Sequence, residues 1–217
     1  VFVDTAGLRR RSRVEAPLEF YSMLRAERAL LRSDVALLLV DATQGATNHD
    51  FQIARKVWDA GVGLVLVLNK WDLVRADSTT AAEYERVLRE RVPFLEHVPI
   101  VTTSARTGQR VRKAIEIALE VADARAMRVP TPELNRRLRE LVTAVPPPSA
   151  GRRRLKIYYG AQVRTRPPLF AFWTNDPSAV PEHYERYLVN GIRETWGFRG
   201  SPIRVRFRAR RRTKRTP

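Results

Sequence analysis

Three short polar sequences carry the residue types that could do chemistry, and each of them follows an apolar run. They are Asp4-Thr5-Ala6-Gly7-Leu8, Asn69-Lys70-Trp71-Asp72 and Ser104-Ala105. Carboxylates suit hard metal ions, and backbone N–H groups freed by a glycine suit phosphates. The three sequences together predict a nucleotide site.

The first of these sequences has the chemistry of a metal and phosphate site. Asp4, at the end of a predicted strand, can hold a water molecule on Mg²⁺, a hard cation that keeps several of its waters. Gly7 lets the backbone N–H approach a terminal phosphate because no Cβ intervenes. Taken alone, an Asp-x-x-Gly sequence after a strand is more often only a turn.

The second and third sequences have the chemistry of a guanine site. The Asp72 carboxylate can accept hydrogen bonds from guanine N1–H and from the exocyclic N2 amine, a donor pair that adenine lacks. Asn69 can hold the loop and the O6 edge of the base, while the Lys70 stem packs along the ring plane. The turn at Ser104 and Ala105 offers a backbone N–H to O6. Asn-Lys-x-Asp alone is usually a turn or a helix cap, but the order and spacing of all three sequences favour the nucleotide.

These residues need a sheet that brings their strand ends together, and the hydrophobic pattern predicts one. Apolar runs predict strands at 1–4, 35–40, 64–68 and 98–103. Helical spacing predicts helices at 19–32, 49–60, 79–91 and 109–126, the last with an apolar face of Val111, Ile115, Leu119 and Ala122. Alternating strands and helices give an α/β fold with a parallel sheet and helices on both faces, whose ligands bind beyond the carboxyl ends of the strands.

The charge of the chain divides it into two segments. Its 217 residues include 40 Lys and Arg against 23 Asp and Glu, a formal net charge of +17. Residues 1–129 hold 20 basic and 17 acidic side chains, a net of +3, whereas 130–217 hold 20 basic and 6 acidic ones, a net of +14. Such asymmetry predicts two domains with different partners. We predict a first domain at 1–127, a proline-containing linker at 128–131, a second domain at 132–208 and a basic tail at 209–217.

Composition excludes several classes of protein. The chain has no Cys, which excludes a disulfide scaffold, a Cys-ligated zinc site and a thiol nucleophile. His49, His97 and His183 are too scattered to suggest a His-metal site. No apolar run is long enough for a transmembrane helix, and no signal peptide is visible. We therefore expect a cytoplasmic protein with no membrane partner.

The second segment predicts a small α-β-β-α-β domain. Its helices are predicted at 131–145 and 178–196, and its strands at 155–160, 169–174 and 202–207. Gly197 and Gly200 fit a Gly-x-x-Gly expression but stand between a helix and a strand, so we interpret them as a helix C-cap and a turn. The aromatic residues of this segment follow strand and helix spacing, which favours core packing over base stacking.

Dense positive charge in the second segment is a candidate for nucleic-acid binding. A segment that is dense in positive charge and has no apolar pattern contributes little to a folded core, but it is well suited to bind phosphates. The alternative is a tail that only solubilises the chain. The candidate RNA contacts are Arg152, Arg153, Arg154, Arg208, Arg210, Arg211, Arg212, Lys214 and Arg215.

The finer sequence resembles one known family. Asp-Thr-Ala-Gly-Leu-Arg-Arg-Arg at 4–11, Glu-Phe-Tyr-Ser at 19–22 and Asp-Ala-Thr-Gln-Gly at 41–45, with the sequences at 69–72 and 104–105, resemble the second GTPase domain of the EngA/Der double GTPases. The α-β-β-α-β segment resembles the KH-like domain that ends these proteins. The resemblance implies binding of GTP and GDP, hydrolysis of GTP with Mg²⁺, and assembly of the large ribosomal subunit through its rRNA.

The resemblance also carries over site residues. It assigns Mg²⁺ binding through water to Asp4, and assigns GTP binding to Asp4, Thr5, Ala6, Gly7, Leu8, Asn69, Lys70, Trp71, Asp72, Ser104 and Ala105. No catalytic residue is assigned within the switch II region. Leu8 stands where GTPases of the Ras type carry a Gln that orients the attacking water. The resemblance therefore implies that another group, or a bound K⁺, assists hydrolysis.

One required sequence is absent. No phosphate loop, Gly-x-x-x-x-Gly-Lys-Ser/Thr, occurs in the 217 residues, and a working GTPase needs one. In the family it lies upstream, so the chain resembles the C-terminal part of a longer protein that also holds a first GTPase domain. We expect a partial P-loop GTPase sheet, with a gap between the strands at 1–4 and 35–40, and weak or no GTP binding by these residues alone. The alternative function is a non-enzymatic basic RNA- or protein-binding module with a vestigial nucleotide pocket.

Overall fold

The computed structural model describes residues 1–3, 29–74, 80–150 and 153–210. The chain divides into two compact units, Val1–Glu120 and Val121–Pro217. The division falls within a helix, ahead of the predicted boundary at 127. The last turns of this helix belong to the second unit, where the Arg125 C=O accepts the Arg166 N–H at 3.2 Å. The predicted domain limits stay a prediction.

Within the described residues, the first unit is built on a three-stranded parallel sheet. Its strands are β1 (Val35–Asp41), β2 (Gly63–Asn69) and β3 (Ile100–Thr102), in the spatial order β1-β2-β3. Every residue of the central strand β2 except Asn69 is buried, as a strand covered on both faces requires. The predicted α/β class is confirmed, and each of these strands lies within two residues of its predicted bounds.

Helices accompany this sheet, and the last of them runs from the first unit into the second. They are α1 (Asn48–Asp59), α2 (Thr80–Arg91) and α3 (Val111–Ala126), with 3₁₀ helices at Trp71–Leu73 and Pro93–His97. A capping box begins α1, since Thr47 Oγ1 accepts the Asp50 N–H at 3.3 Å and the Asp50 carboxylate accepts the Thr47 N–H at 2.8 Å. The core includes Val40, Ala54, Val57, Leu64, Leu66, Leu68, Leu88 and Leu95.

The apolar face predicted for α3 is only partly right, since Ile115 and Ala122 are half-buried but the other two predicted residues are not. Ala114 and Ile117 are buried, whereas Val111 and Leu119 are exposed. The midpoint of Ala114 and Ile117 lies roughly 130° from that of Val111 and Leu119 around a helix of 3.6 residues per turn. Both sets are apolar at helical spacing, so the period identifies the helix without deciding which stripe faces the core.

The beginning of the chain also differs from expectation. Residues 1–3 form no strand and are exposed, and Asp4 lies outside the described residues. A strand needs hydrogen-bonded neighbours, and 1–3 pairs with none of the described strands. Of the helix predicted at 19–32, the structure describes residues 29–32, which are helical.

Within its described residues, the second unit contains the end of α3, two further α-helices, a 3₁₀ helix at Pro177–Ala179 and a mixed sheet. Its elements are α4 (Thr131–Ala144), β4 (Ser149–Ala150), β5 (Arg153–Arg154), β6 (Ile157–Arg164), β7 (Leu169–Thr174), α5 (Glu182–Trp196) and β8 (Arg204–Ala209). The strand β7 is central, antiparallel to β6 and parallel to β8. Apart from the short pair of β4 and β5, this is the predicted α-β-β-α-β order. No helix of either unit, over the described ranges, is long and apolar enough to cross a membrane.

One face of this sheet packs against α4 and α5. The core holds Leu134, Leu138, Leu141, Phe170, Phe172, Tyr184, Leu188, Ile192 and Phe198. Four of the aromatic residues are therefore core, as their spacing favours. Tyr158 and Tyr159 differ, since they are 42% and 41% exposed.

The end of α5 agrees with the interpretation of the Gly-x-x-Gly sequence. Gly197 is the C-cap of α5, with φ of 79°, and its N–H donates to the Arg193 C=O at 2.7 Å. Positive φ is the conformation in which glycine has no Cβ penalty. Gly200, with φ of 67°, continues the turn towards β8, so the sequence lies between a helix and a strand.

Candidate nucleotide site

The ends of β2 and β3 bring the second and third polar sequences together. Because the two strands are parallel neighbours, their carboxyl ends lie at the same edge of the sheet. The Thr103 N–H donates to the Leu68 C=O at 2.8 Å, and the Trp71 N–H donates to the Thr103 C=O at 3.0 Å. These backbone bonds fix the loop after β2 against the loop after β3.

Asn69 joins the same loops with its side chain. Its Oδ1 accepts the Ala105 N–H at 3.0 Å and lies 3.4 Å from Thr103 Oγ1. This is a loop-holding contact of the kind expected for Asn69. It also occupies the Ala105 N–H that the sequence offered to guanine O6, while the Ser104 N–H donates to the Gln109 C=O at 3.1 Å. A bond from this turn to O6 therefore requires an amide to exchange its partner.

Ser104 shapes the turn from inside. Its side chain is fully buried, and its Oγ accepts the Thr107 N–H at 3.1 Å. Gly108 follows with φ of 77°, where any other residue would be strained. Ala105 is exposed, so the turn presents Ala105 and covers Ser104.

Trp71 and Asp72 have opposite surroundings although they are neighbours in sequence. Trp71 is 8% exposed and packs edge-on against Tyr84, with the ring centroids 5.5 Å apart. The Tyr84 hydroxyl donates to the Ala42 C=O at 2.8 Å. Asp72 is exposed at the 3₁₀ turn that Trp71 begins. Trp71 therefore belongs to the core and anchors the turn that presents the Asp72 carboxylate.

Lys70 forms an ion pair that the sequence did not predict. Its backbone is left-handed, with φ of 62°, and its Nζ lies 2.6 Å from Asp41 Oδ2 at the end of β1. Asp41 Oδ1 also accepts hydrogen bonds from Thr43 Oγ1 and the Thr43 N–H, at 2.6 and 3.1 Å. The bond from Lys70, followed by those from Thr43, lowers the pKa of Asp41 to about 2. The Lys70 stem thus reaches from the end of β2 to the end of β1.

Asp41 is a residue of the candidate site that the sequence reasoning did not identify. It entered only as part of the Asp-Ala-Thr-Gln-Gly sequence at 41–45. The signal that found Asn69, a polar residue directly after an aliphatic strand, applies equally to Asp41. Its partner is not readable from the sequence, because 29 positions separate it from Lys70.

The residues predicted to bind Mg²⁺ and the terminal phosphate are not among the described residues. Asp4, Thr5, Ala6, Gly7 and Leu8 lie outside the described residues, so their roles stay predictions. Within the part of the chain that the structure describes, no group of three or more His, Asp or Glu side chains could hold a metal ion.

The candidate RNA contacts lie in or beyond the second unit's strands. Arg154, in β5, Arg208, in β8, and Arg210 are exposed. Arg153 belongs to β5. The remaining candidates lie outside the described residues: Arg152, Arg211, Arg212, Lys214 and Arg215.

Sequence comparison identifies the family to which the chain belongs. Residues 22–145, more than half of the chain, match the elongation factor Tu GTP-binding domain. The chain belongs to this family of GTP-binding domains. Residues 128–208 match the KH-domain-like C-terminal domain of the EngA bacterial GTPase enzymes. The predicted resemblance to EngA/Der and the KH-like second domain are thereby confirmed.

Individual proteins agree with this assignment. The chain is 48% identical over 206 residues to a GTPase Der of Gemmatimonas aurantiaca, covering 94% of this chain and 47% of that protein. It is 47% identical over 211 residues to a GTPase Der of Chloroflexus aggregans, covering 97% and 47%. The chain spans about half the length of the curated relatives it matches. Among solved structures, it is similar to an Aquifex aeolicus Era variant bound to GDP and AlF₄⁻, with a TM-score of 0.45, 15% identity, and coverage of 91% of this chain and 73% of that one.

Proposed function

We propose that this chain is part of a GTPase that binds GTP and GDP, hydrolyses GTP with Mg²⁺, and acts in assembly of the large ribosomal subunit. The observation that carries the proposal is the contact of Asn69 Oδ1 with the Ala105 N–H, at 3.0 Å. It joins two loops whose sequences have the chemistry of guanine recognition, in a chain of a GTP-binding family. The name of the similar proteins, GTPase Der, supports hydrolysis.

Asp72 selects the base in this proposal. Its carboxylate is exposed on a turn that the buried Trp71 holds in place. Two hydrogen bonds to one carboxylate, from N1–H and the N2 amine, discriminate guanine from adenine because adenine offers no such donor pair. The Lys70 stem, held by Asp41, provides an apolar surface for the ring.

The phosphate side of the reaction belongs to Asp4 and Gly7. Asp4 would hold a water on Mg²⁺, and the backbone at Gly7 would face the terminal phosphate. Leu8 has no group that could orient a water molecule, so another group or K⁺ would assist. Because the 217 residues contain no phosphate loop, we assign hydrolysis to a longer protein that includes one.

The second unit would contact rRNA. It carries a net charge of +14 over residues 130–217, and Arg154, Arg208 and Arg210 are exposed. Basic side chains bind the phosphate backbone of nucleic acids by releasing its counterions. This supports an rRNA-binding role for the KH-like domain within the proposed function.

The assignment of the pocket is tested by Asp72→Asn in the full-length protein. The amide donates where the carboxylate accepted, so affinity for GTP should fall about 100-fold or more. Affinity for xanthosine triphosphate should rise, because xanthine carries a carbonyl in place of the N2 amine. Titration with both nucleotides measures the two effects.

Asp59→Asn is the matched control for this experiment. Asp59 is an acidic residue on α1 that pairs with Arg55 at 3.0 Å, and both side chains are largely exposed. Such i,i+4 pairs are worth only about 0.3–0.5 kcal/mol, so both nucleotide affinities should stay within about twofold. Unchanged GTP binding and turnover in the Asp72 variant would contradict the assignment of this pocket to guanine.

A second candidate function is a non-enzymatic basic module with a vestigial pocket. The net charge of +14 over residues 130–217 favours it, whereas the complete Asn69-Lys70-Trp71-Asp72 sequence weighs against a vestigial pocket. It predicts that the full-length protein neither hydrolyses GTP nor responds to Asp72→Asn. A multiple-turnover phosphate-release assay on the full-length protein separates the two candidates.

A further inference from the structure

Two aromatic side chains stack on the sheet of the second unit away from its core. Tyr159 of β6 and Trp173 of β7 are directly opposite each other in register. Their rings lie 4.3 Å apart at an angle of 6°. Successive side chains of a strand point to opposite faces, so Trp173 faces away from its neighbour Phe172, which is buried in the core.

Arginines extend this stack. Arg208 of β8 pairs with Trp173 in register, and its Cζ lies 5.9 Å from the Trp173 ring centroid. The Cζ of Arg210 lies 4.7 Å from the ring centroid of Tyr158. The pairing of β6 with β7 shifts register between Ile157 and Tyr159, and such a bulge interrupts the alternation of faces, so the adjacent Tyr158 and Tyr159 can lie on the same face. We call Tyr158, Tyr159, Trp173, Arg208 and Arg210 the aromatic–arginine patch. Its two tyrosines are about two-fifths exposed, and both arginines are exposed.

Further positive charge lies beside the patch. Arg154 and Lys156 are exposed. Asn175 follows β7 and bonds to both residues: its Nδ2 donates to the Arg154 C=O at 3.0 Å, and its Oδ1 accepts the Lys156 N–H at 2.7 Å. These bonds hold the two basic residues next to the end of β7, close in the chain to Trp173.

The chemistry of the patch identifies its ligand. Flat aromatic rings and guanidinium planes stack on nucleobases, and the surrounding positive charge attracts phosphates. An acidic protein would satisfy the charge but not the stacked rings. A duplex presents phosphates but hides the faces of its bases. We propose that the aromatic–arginine patch binds unpaired bases of single-stranded RNA, which deepens the proposed contact with rRNA and rests on it.

The test is binding of a ten-nucleotide oligouridylate and of an RNA duplex of equal length to the full-length protein. Tyr158→Ala/Tyr159→Ala should weaken oligouridylate binding about tenfold or more, since a base–aromatic stack is sequence-tolerant and strong. Duplex binding should stay within about twofold. Arg139→Ala removes one exposed positive charge from α4, and it should change both affinities by less than about twofold.

Two further variants keep the test valid if the double variant fails to fold. Arg208→Lys keeps the charge but loses the planar group, so oligouridylate binding should weaken more than duplex binding. Trp173→Phe keeps a stacking ring and should retain binding, while the quenching of tryptophan fluorescence by the oligonucleotide should be lost.

Several outcomes would overturn the proposal. They are absence of oligouridylate binding, equal weakening of single-stranded and duplex binding by the tyrosine variant, and quenching that persists in Trp173→Phe. Binding of the same variants to ribosomal particles is measured in parallel. Particle binding that persists without oligouridylate binding leaves the rRNA contact standing and rejects the patch alone.

Discussion

The Lys70 ammonium lies 2.6 Å from a carboxylate that belongs to a different strand, and this contact joins the ends of the two strands. Lys70 carries a left-handed backbone at the end of β2, while Asp41 ends β1. The bond from Lys70 is the largest cause of the lowered pKa of Asp41. The stem of Lys70 is thereby directed along the strand ends, where the proposed base would lie.

This ion pair predicts a pH dependence. The folded protein lowers the pKa of Asp41 from 3.8 to about 2, so the pair stabilises the fold above the unfolded pKa, and the contribution is lost as the pH falls from 3.8 towards about 2. The difference in unfolding free energy between wild type and Asp41→Asn should be constant above about pH 5 and shrink below pH 4. Urea unfolding across this range measures it. Lys70→Met should remove the same pH-dependent contribution to the unfolding free energy. A difference in unfolding free energy between wild type and Asp41→Asn that persists to pH 2 would contradict a stabilising ion pair.

The Asn69 contact predicts a loss of nucleotide affinity with little loss of stability. Asn69→Ala removes the acceptor of the Ala105 N–H, a bond worth roughly 1 kcal/mol in the fold. Because this side-chain bond joins the two loops of the candidate base site, GDP affinity of the full-length protein should fall about tenfold or more. Asn190→Ala, an exposed position on α5, is the matched control. If the two variants changed GDP affinity equally, Asn69 would have no specific role in the candidate site.

The segment between α3 and α4 is held by a strand of the second unit. Gln162 of β6 is 3% exposed; its Oε1 accepts the Val129 N–H at 2.7 Å and its Nε2 donates to the Met127 C=O at 3.0 Å. Val129 itself is buried in the core with Leu134. Part of the predicted linker at 128–131 is thus a packed connection, because one buried amide satisfies two backbone groups of the segment.

Gln162→Leu should therefore destabilise the protein strongly. It leaves the Val129 N–H and the Met127 C=O without partners, and each unsatisfied buried group costs about 1–3 kcal/mol. Thermal unfolding should show a lowered Tm. Gln52→Leu, at an exposed position on α1, should change Tm little. A Gln162 variant as stable as wild type would mean that water replaces the amide.

The two parts of the chain differ in charge as well as in fold. The nearly balanced segment, 1–129, contains the candidate base site, and the segment 130–217 carries a net of +14. Attraction between a cationic surface and RNA is strongly salt-dependent. The division separates nucleotide chemistry from the proposed RNA contact and allows each to be removed without the other.

Deletion of residues 211–217 tests the charged end of the molecule. The segment contains Arg211, Arg212, Lys214 and Arg215, and each phosphate contact contributes about 0.7–0.9 to the slope of log K against log salt. The deletion should lower the slope for binding to ribosomal particles by about 3 and leave GTP affinity unchanged. An unchanged slope would assign the tail to solubility.

The sequence by itself determined most of the order of elements and the family, and it predicted the chemistry of a base site. Strands such as β2 are continuous aliphatic runs, and helices repeat every 3.6 residues, so both signals are local. The loops at 69–72 and 104–105 could be placed near each other because parallel strands share an edge. The C-cap at Gly197 followed from its position between a helix and a strand.

Only the tertiary structure decided which partners these residues have. It paired Lys70 with Asp41, gave the Ala105 N–H to Asn69, and placed Trp71 in the core beside exposed Asp72. It also turned the other stripe of α3 inward and left the rings of Tyr158 and Tyr159 exposed. Each of these depends on contacts between distant positions or on the choice between two apolar faces. A local period is the same for either choice, so packing alone resolves it.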